Sequence, residues 1–338
     1  MKRSLLISSI LICAFLLGCG VVSAAPEQTA SPVPVVQEPV SVTFAPTDAP
    51  TVPPTPSPTP TPSPTPTPSP TPEPEGLIGW REGGFVPRDQ KIVSETEYAG
   101  ENLHVTVQTV YDETTFKGHV TYYVCDIYLR NLNCLRTSAA HTFHSGKRDD
   151  VDDMAKRVNA IAAISGDMFN AHKHSLVIRN GEVFDRTPYN DWDVCFLYLD
   201  GTMQTMSADE YKTAVLRDDV WQAWDFGPSL LDADGHAIDK FPKSGVNPQN
   251  PRNAIGYMEP GHYCFVTVDG RQKHSRGLEL SELAKLMESL GCKIAYNLDG
   301  GESASLYWNG DIYNKPSDGG REMADIVYLV DVDETANP

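Results

Sequence analysis

Four Asn-Gly or Asp-Gly dipeptides, each following a short apolar run, constrain this chain more than any other feature. Asn180-Gly181 sits between Leu176-Val177-Ile178 and Val183-Phe184, and Asn309-Gly310 between Leu306-Tyr307-Trp308 and Ile312-Tyr313. Asp200-Gly201 follows Cys195-Phe196-Leu197-Tyr198-Leu199, and Asp234-Gly235 follows Ser229-Leu230-Leu231. Such pairs accept φ > 0 at both centres of a tight hairpin turn, so they predict a largely antiparallel sheet. The alternation Leu103-Val105-Val107 and the β-branched and aromatic run from Val120 to Leu129 add further strands.

Two helices interrupt this pattern. The first starts after Asp149 or Asp150, either able to cap it, and turns Val151, Met154 and Val158 inward. The second buries Leu280, Leu283, Met287 and Leu290 and stops at Gly291. Each leads into an apolar strand, Ala160 to Ile164 and Ile294 to Leu298. The predicted class is α+β: a single domain with a mixed, largely antiparallel sheet flanked by helices.

That domain occupies residues 76–338. Of the 27 prolines, 18 fall between Pro26 and Pro74, and from Pro53 onward the sequence is nearly pure Thr-Pro and Ser-Pro. Proline fixes φ, removes donors and keeps its preceding neighbour extended, so residues 26–75 read as a disordered tether. Before it, Lys2 and Arg3 precede an uncharged run from Leu5 to Leu17, the pattern of a secretory signal over residues 1–25. Leu16-Leu17-Gly18-Cys19 resembles a bacterial lipobox, which makes Cys19 the expected lipidation site; Val22-Ser23-Ala24 is the competing cleavage site. The protein is therefore expected outside the cytoplasm, at the cell surface, touching the membrane only through that anchor.

The chain carries 27 Lys and Arg against 45 Asp and Glu, a net charge of −18, which argues against a nucleic-acid partner. Five cysteines lie in the domain: Cys125, Cys134, Cys195, Cys264 and Cys292. Five is odd and none forms a Cys-x-x-Cys pattern, so they read as buried apolar residues, although Cys125 and Cys134 are spaced to close a small loop.

Chemistry-bearing residues gather where both helix-to-strand units end. One ends in Ser165-Gly166-Asp167-Met168-Phe169, the other in Asn297-Leu298-Asp299-Gly300-Gly301-Glu302-Ser303. An Asp at a strand end followed by glycine places a carboxylate at a sheet rim, and paired glycines can turn amides toward an anion. Asp269-Gly270-Arg271 follows the Tyr263 to Val268 run, and Arg252 follows a long loop rich in Gly, Pro and Asn. An arginine so placed can clamp phosphate or carboxylate with two donors, and a salt-bridged surface arginine is the plain alternative.

The successive blocks Pro251-Arg252-Asn253-Ala254-Ile255-Gly256, Val268-Asp269-Gly270-Arg271, Ser275 to Leu280 and Asn297 to Ser303 resemble signatures of the phosphodiester glycosidase family. Ala163 to Phe169 and Phe226-Gly227-Pro228-Ser229-Leu230-Leu231 resemble two further blocks. The resemblance spans roughly Asn102 to Val332. Ser165 stands where that family commonly has asparagine, and Asn253 where it has threonine.

The resemblance implies hydrolysis of a sugar-1-phosphodiester, in a sugar-phosphate polymer or glycoconjugate, with no required cofactor. Breaking the anomeric C–O bond passes through an oxocarbenium-like state that needs carboxylates beside the ring, for which Asp167, Asp299 and Glu302 are the candidates. The leaving phosphate needs positive charge more than a proton, which suits Arg252, Arg271, Gly300 and Gly301, with Asp269, Asn297 and Ser303 completing the expected substrate site. Two alternatives use the same chain differently. Asp167, Asp269 and Asp299 are the candidate ligands of a divalent-metal phosphodiesterase, with His172 and His174 nearby in sequence but in a polar loop. A non-catalytic glycan-binding module would instead stack sugars on Trp192, Trp221, Trp224 or Trp308.

Overall fold

A computed structural model describes residues 84–143, 145–189 and 192–332. The signal, Cys19 and the proline-rich tether lie outside the described residues.

Three sheets, not one, form the domain, and every ladder among the described residues is antiparallel. The largest has seven strands, running in space from Ile92–Val93 through Glu97–Ala99, Leu103–Asp112, Val120–Leu129, His262–Val268 and Arg252–Glu259 to Ile294–Leu298. A five-stranded sheet orders Met203–Met206, Val194–Tyr198, Val220–Trp224, Leu176–Arg179 and Glu182–Arg186. The third orders Asp311–Ile312, Leu306–Trp308, Ala162–Ser165, Asp325–Leu329 and Leu135–Ala139.

The turn dipeptides act as expected at three of four positions: Asn180-Gly181, Asp200-Gly201 and Asn309-Gly310 each join paired strands. At the two Asn-Gly turns both residues have positive φ. At Asp200-Gly201 only the glycine does, because the Asp200 carboxylate accepts instead from the Thr202 amide and closes the turn with its side chain. Asp234-Gly235 makes a turn closed by one isolated bridge, Leu231 to Ala237, rather than a strand hairpin.

Both expected helices are present, Val151–Arg157 and Leu280–Ser289, the second ending before Gly291 at φ 82. A third, Ala208–Thr213, was not anticipated; Ser207 caps it and Glu210 bonds back to the Ser207 amide. The main core lies between the sheets and includes Leu103, Val105, Ile127, Leu197, Trp224, Ile255, Phe265, Tyr296 and Leu329. A second core, with Leu283 and Met287 at its centre, forms where the Leu280–Ser289 helix covers the seven-stranded sheet. All five cysteines are free and buried, so the Cys125–Cys134 loop closure does not occur. None of the described helices is long and apolar enough to cross a membrane.

Antiparallel register brings distant sequence blocks to one end of the large sheet. Arg252 opens its strand opposite Val268, and Asn253 pairs with Leu298 on the other side. Arg252, Asp269 and Asp299 are thus neighbours at one rim. The third sheet meets that rim where the Asp299 amide donates to Gly166 O at 3.1 Å.

Candidate active site

The rim forms one wall of a cleft of about 340 Å³. Its lining includes Arg252, Arg271, Asn297, Asp299, Glu302 and Arg321, with Trp192, Phe226 and Met168 on its apolar side.

Asp299 is almost fully buried yet lines the cleft. Its Oδ2 accepts from Arg321 Nη2 at 2.9 Å and from Ser303 Oγ at 3.0 Å. Burial holds its carboxyl above the ordinary aspartate value, while Arg321 and the Ser303 hydroxyl pull in the opposite direction. Gly300, next in sequence, must lack a side chain, since a Cβ there would come within 2.6 Å of Pro251 O. The Gly301 amide donates to that same carbonyl at 2.9 Å and is not available to an anion.

Arg252 is buried, with its guanidinium bound to main-chain carbonyls: Nε donates to Leu278, and Nη2 donates to Pro248 at 2.6 Å and to Asn247 at 3.4 Å. Among the described residues no carboxylate pairs with it. Burial, with the like charge of Arg271, lowers its pKa to about 10, which still leaves it cationic at neutral pH. Arg271 takes positive φ at 57° and directs Nε and Nη2 onto Asn250 Oδ1. Its Nη1 lies 3.7 Å from Glu302 Oε1, both side chains being well exposed. Asn297 donates through Nδ2 to Gly227 O at 2.7 Å, leaving its buried Oδ1 without a hydrogen-bond partner.

Two expected site residues do not line the cleft. Asp167 has no exposed surface; its Oδ2 accepts from Arg179 Nη2 at 2.8 Å, and Arg179 Nε also donates to Asp325 Oδ2 at 2.9 Å. Asp325 Oδ1 receives the Asp167 amide at 3.0 Å, and a Cβ at Gly166 would strike that oxygen at 2.1 Å. Glycine is therefore obligatory between Ser165 and Asp167. Burial raises Asp325 to about 7 despite the opposing pull of Arg179. Burial, with the Asp167 charge, raises Asp225, which supports Leu176 and Tyr189 amides, to about 6. Asp269 is buried and spent on four donors, Tyr123 Oη, His274 Nε2, Asn314 Nδ2 and the Lys315 amide.

Asp167, Asp269 and Asp299 thus each have other partners, and among the described residues no three His, Cys, Asp or Glu side chains come together to hold a metal ion. His172 stacks on Tyr189 at 3.5 Å, and His174 faces Asp185. Of the four tryptophans considered for sugar stacking, Trp221, Trp224 and Trp308 belong to the core; Trp192 lines the cleft.

Arg321, Arg179, Asp325 and Asp225 were missed from sequence. Gly319-Gly320 before Arg321 repeats the paired glycines of Gly300-Gly301, and was the one available signal.

The family model for phosphodiester glycosidases matches residues 158–330, half of the chain. An uncharacterised protein derived from the SPbeta prophage of Bacillus subtilis, YomE, is 31% identical over 184 residues, 52% of this chain and 29% of that one. The N-acetylglucosamine-1-phosphodiester alpha-N-acetylglucosaminidase of Mus musculus is 26% identical over 238 residues, 65% of this chain and 46% of its own. The chain spans less than half of the length of both relatives. In fold it resembles the catalytic domain of the zebrafish N-acetylglucosamine-1-phosphodiester alpha-N-acetylglucosaminidase, auto-inhibited by its pro-peptide, at TM-score 0.55 and 20% identity, covering 68% of this chain and 84% of that one. The family match covers the Asp167, Arg252 and Asp299 blocks together, and this chain belongs to the phosphodiester glycosidase family.

Proposed function

We propose that this chain hydrolyses the bond between the anomeric carbon and the phosphate oxygen of a sugar-1-phosphodiester, outside the cell, in exopolysaccharide, cell-wall polymers or a related glycoconjugate. The observation that carries this reading is a single cleft in which the carboxylates Asp299 and Glu302 stand among the guanidinium groups of Arg252, Arg271 and Arg321.

The chemistry divides along those charges. Asp299, held in place by Arg321 and Ser303, stabilises an oxocarbenium-like centre in its ionised form. Glu302, the exposed carboxylate of the pair, meets water at the cleft mouth. A phosphate leaving group is weakly basic and needs cations rather than a proton, which Arg252 and Arg271 supply. On a chain of net charge −18, three arginines at one cleft also draw an anionic substrate to it. Asn297 Oδ1 is an acceptor for a sugar hydroxyl, and Trp192 with Phe226 offers apolar surface to a ring face. Asp167, sealed behind the cleft, is a positioning residue in this reading, as is Asp269.

Turnover of a small panel of sugar-1-phosphodiesters in ¹⁸O water tests the proposal. Label in the sugar is the expected result. Label in the phosphate would mean P–O cleavage, and binding without turnover would leave a glycan-binding module. In the same reading residues 1–25 direct export, Cys19 carries a lipid anchor and residues 26–75 space the domain from the membrane. Cys19→Ala then moves the protein from the membrane fraction to the medium, and unchanged fractionation would sink the anchor.

A further inference from the structure

A second cavity, of about 610 Å³, adjoins the cleft and shares Trp192, Phe226, Gly245 and Val246 with it. Its remaining walls come from Asp193, whose carboxylate accepts from the Ser229 amide at 3.0 Å, from the segment after Phe226 and from residues 238–247; their exposed surface is mostly apolar, with Pro228, Ile238, Phe241 and Pro242. Lys240 and Lys243 also line it, both exposed and neither paired with an acidic residue among those described. The 238–247 segment is tied to the site chemistry. Arg252 Nη2 donates to the carbonyls of Asn247 and Pro248, and the Leu280 amide also reaches Asn247 O.

We infer that this cavity receives the carrier side of the phosphodiester, and that the carrier is an alcohol with an apolar chain. The inference rests on the proposed reading of the cleft and narrows its substrate from sugar-phosphate polymers to a glycoconjugate with an apolar carrier. A phosphodiester has two halves, and the smaller cleft holds the carboxylates that must sit beside the sugar. The other half then leaves the phosphate toward the neighbouring cavity, past Trp192 and Phe226. Apolar walls of this extent would strand the hydroxyls of a second sugar or a polyol without partners, which is costly, whereas they gain from each methylene they cover. Two unpaired lysines on the same walls, in so acidic a chain, suit the negative phosphate at the head of that carrier.

Two measurements on the purified chain separate this inference from the reading it builds on. The first is hydrolysis of methyl, butyl and octyl esters of N-acetylglucosamine 1-phosphate. The second is calorimetric binding of octyl phosphate against methyl phosphate, which needs no sugar and no turnover. We expect kcat/KM to rise about two- to fourfold per methylene until the cavity is filled, as burial of each CH₂ group predicts. Octyl phosphate should bind at least tenfold tighter than methyl phosphate. Phe241→Ser, checked for an unchanged melting transition, should cut the octyl-to-methyl ratio at least fivefold in both assays. The double change Lys240→Ala with Lys243→Ala should weaken octyl phosphate and flatten its salt dependence. Equal rates across the ester series, or equal binding of the two phosphates, would overturn the carrier assignment while leaving the glycosidase reading intact. A chain-length effect that survives unchanged in folded Phe241→Ser would also overturn it, by placing the chain elsewhere. No hydrolysis of any ester, with octyl phosphate still bound through Phe241, would uphold the cavity and remove N-acetylglucosamine as the sugar of the glycosidase reading.

Discussion

Arg321 donates from Nη2 to Asp299 Oδ2 at 2.9 Å, and the same nitrogen bonds Ser303 Oγ, whose hydroxyl in turn donates to that carboxylate oxygen at 3.0 Å. The closed triangle fixes a buried carboxylate at the edge of a cleft. It also opposes the rise that burial imposes on Asp299.

Asp299→Asn keeps the shape and an acceptor for Arg321 but removes the charge. It should lower kcat at least ~10²-fold, in line with loss of one preorganised electrostatic group, with an unchanged circular dichroism spectrum. Steady-state kinetics on a sugar-1-phosphodiester checks this.

Arg321→Ala removes a cation that holds the Asp299 carboxyl down. The carboxyl pKa therefore rises, and the acidic limb of the kcat/KM profile should move to higher pH. A pH–rate profile that keeps its acidic limb would detach Arg321 from Asp299 in catalysis.

Arg252→Lys retains charge but loses the planar fork that spans Leu278, Asn247 and Pro248 carbonyls. Raised KM together with lowered kcat is expected. A change in kcat alone would separate Arg252 from substrate binding.

Arg179 pairs with two fully buried carboxylates, Asp167 and Asp325. Arg179→Met should cost roughly 3 kcal/mol or more in denaturant unfolding, because it leaves buried charge uncompensated. A loss below ~1 kcal/mol would mean that the pair is not held as described.

Asp225 and Asp325 are raised to about 6 and about 7 in the folded chain. Between the ordinary aspartate value and those values the folded state binds more protons than the unfolded one. Their contribution to stability is therefore complete at low pH and is lost as pH rises from about 4 to about 7, with a slope on the order of 1 kcal/mol per pH unit for each group. Asp225→Asn can still accept the Leu176 and Tyr189 amides through one oxygen while its amide faces Ser175 Oγ. Its unfolding free energy should fall less steeply over that range than that of the parent chain, as read from urea melts at several pH values.

Local chemistry was legible in the sequence. Asn180-Gly181 and Asn309-Gly310 turn as predicted because positive φ is a property of those residues themselves. The two helices were legible because their apolar positions recur at helical spacing and Gly291 ends the second. The blocks around Arg252 and Asn297 to Ser303 pointed to residues that line the cleft because strand ends and glycine pairs are written contiguously.

Which of those residues face the cleft was decided by register between strands far apart in sequence. Asp167 and Asp299 end similar helix-to-strand units, yet one is sealed against Arg179 and the other opens on the cleft. Arg179 lies 12 positions from Asp167 and 146 from Asp325, so no local pattern could join all three. The same holds for Asp269, whose carboxylate is consumed by residues 123, 274, 314 and 315 once the sheet assembles. Burial and pairing of charge are properties of the assembled sheets. The sequence by itself determined the turns, the helices and the chemical blocks; only tertiary structure decided which carboxylate opens on the cleft, because solvent access and the distant cation that opposes its desolvation exist only after folding.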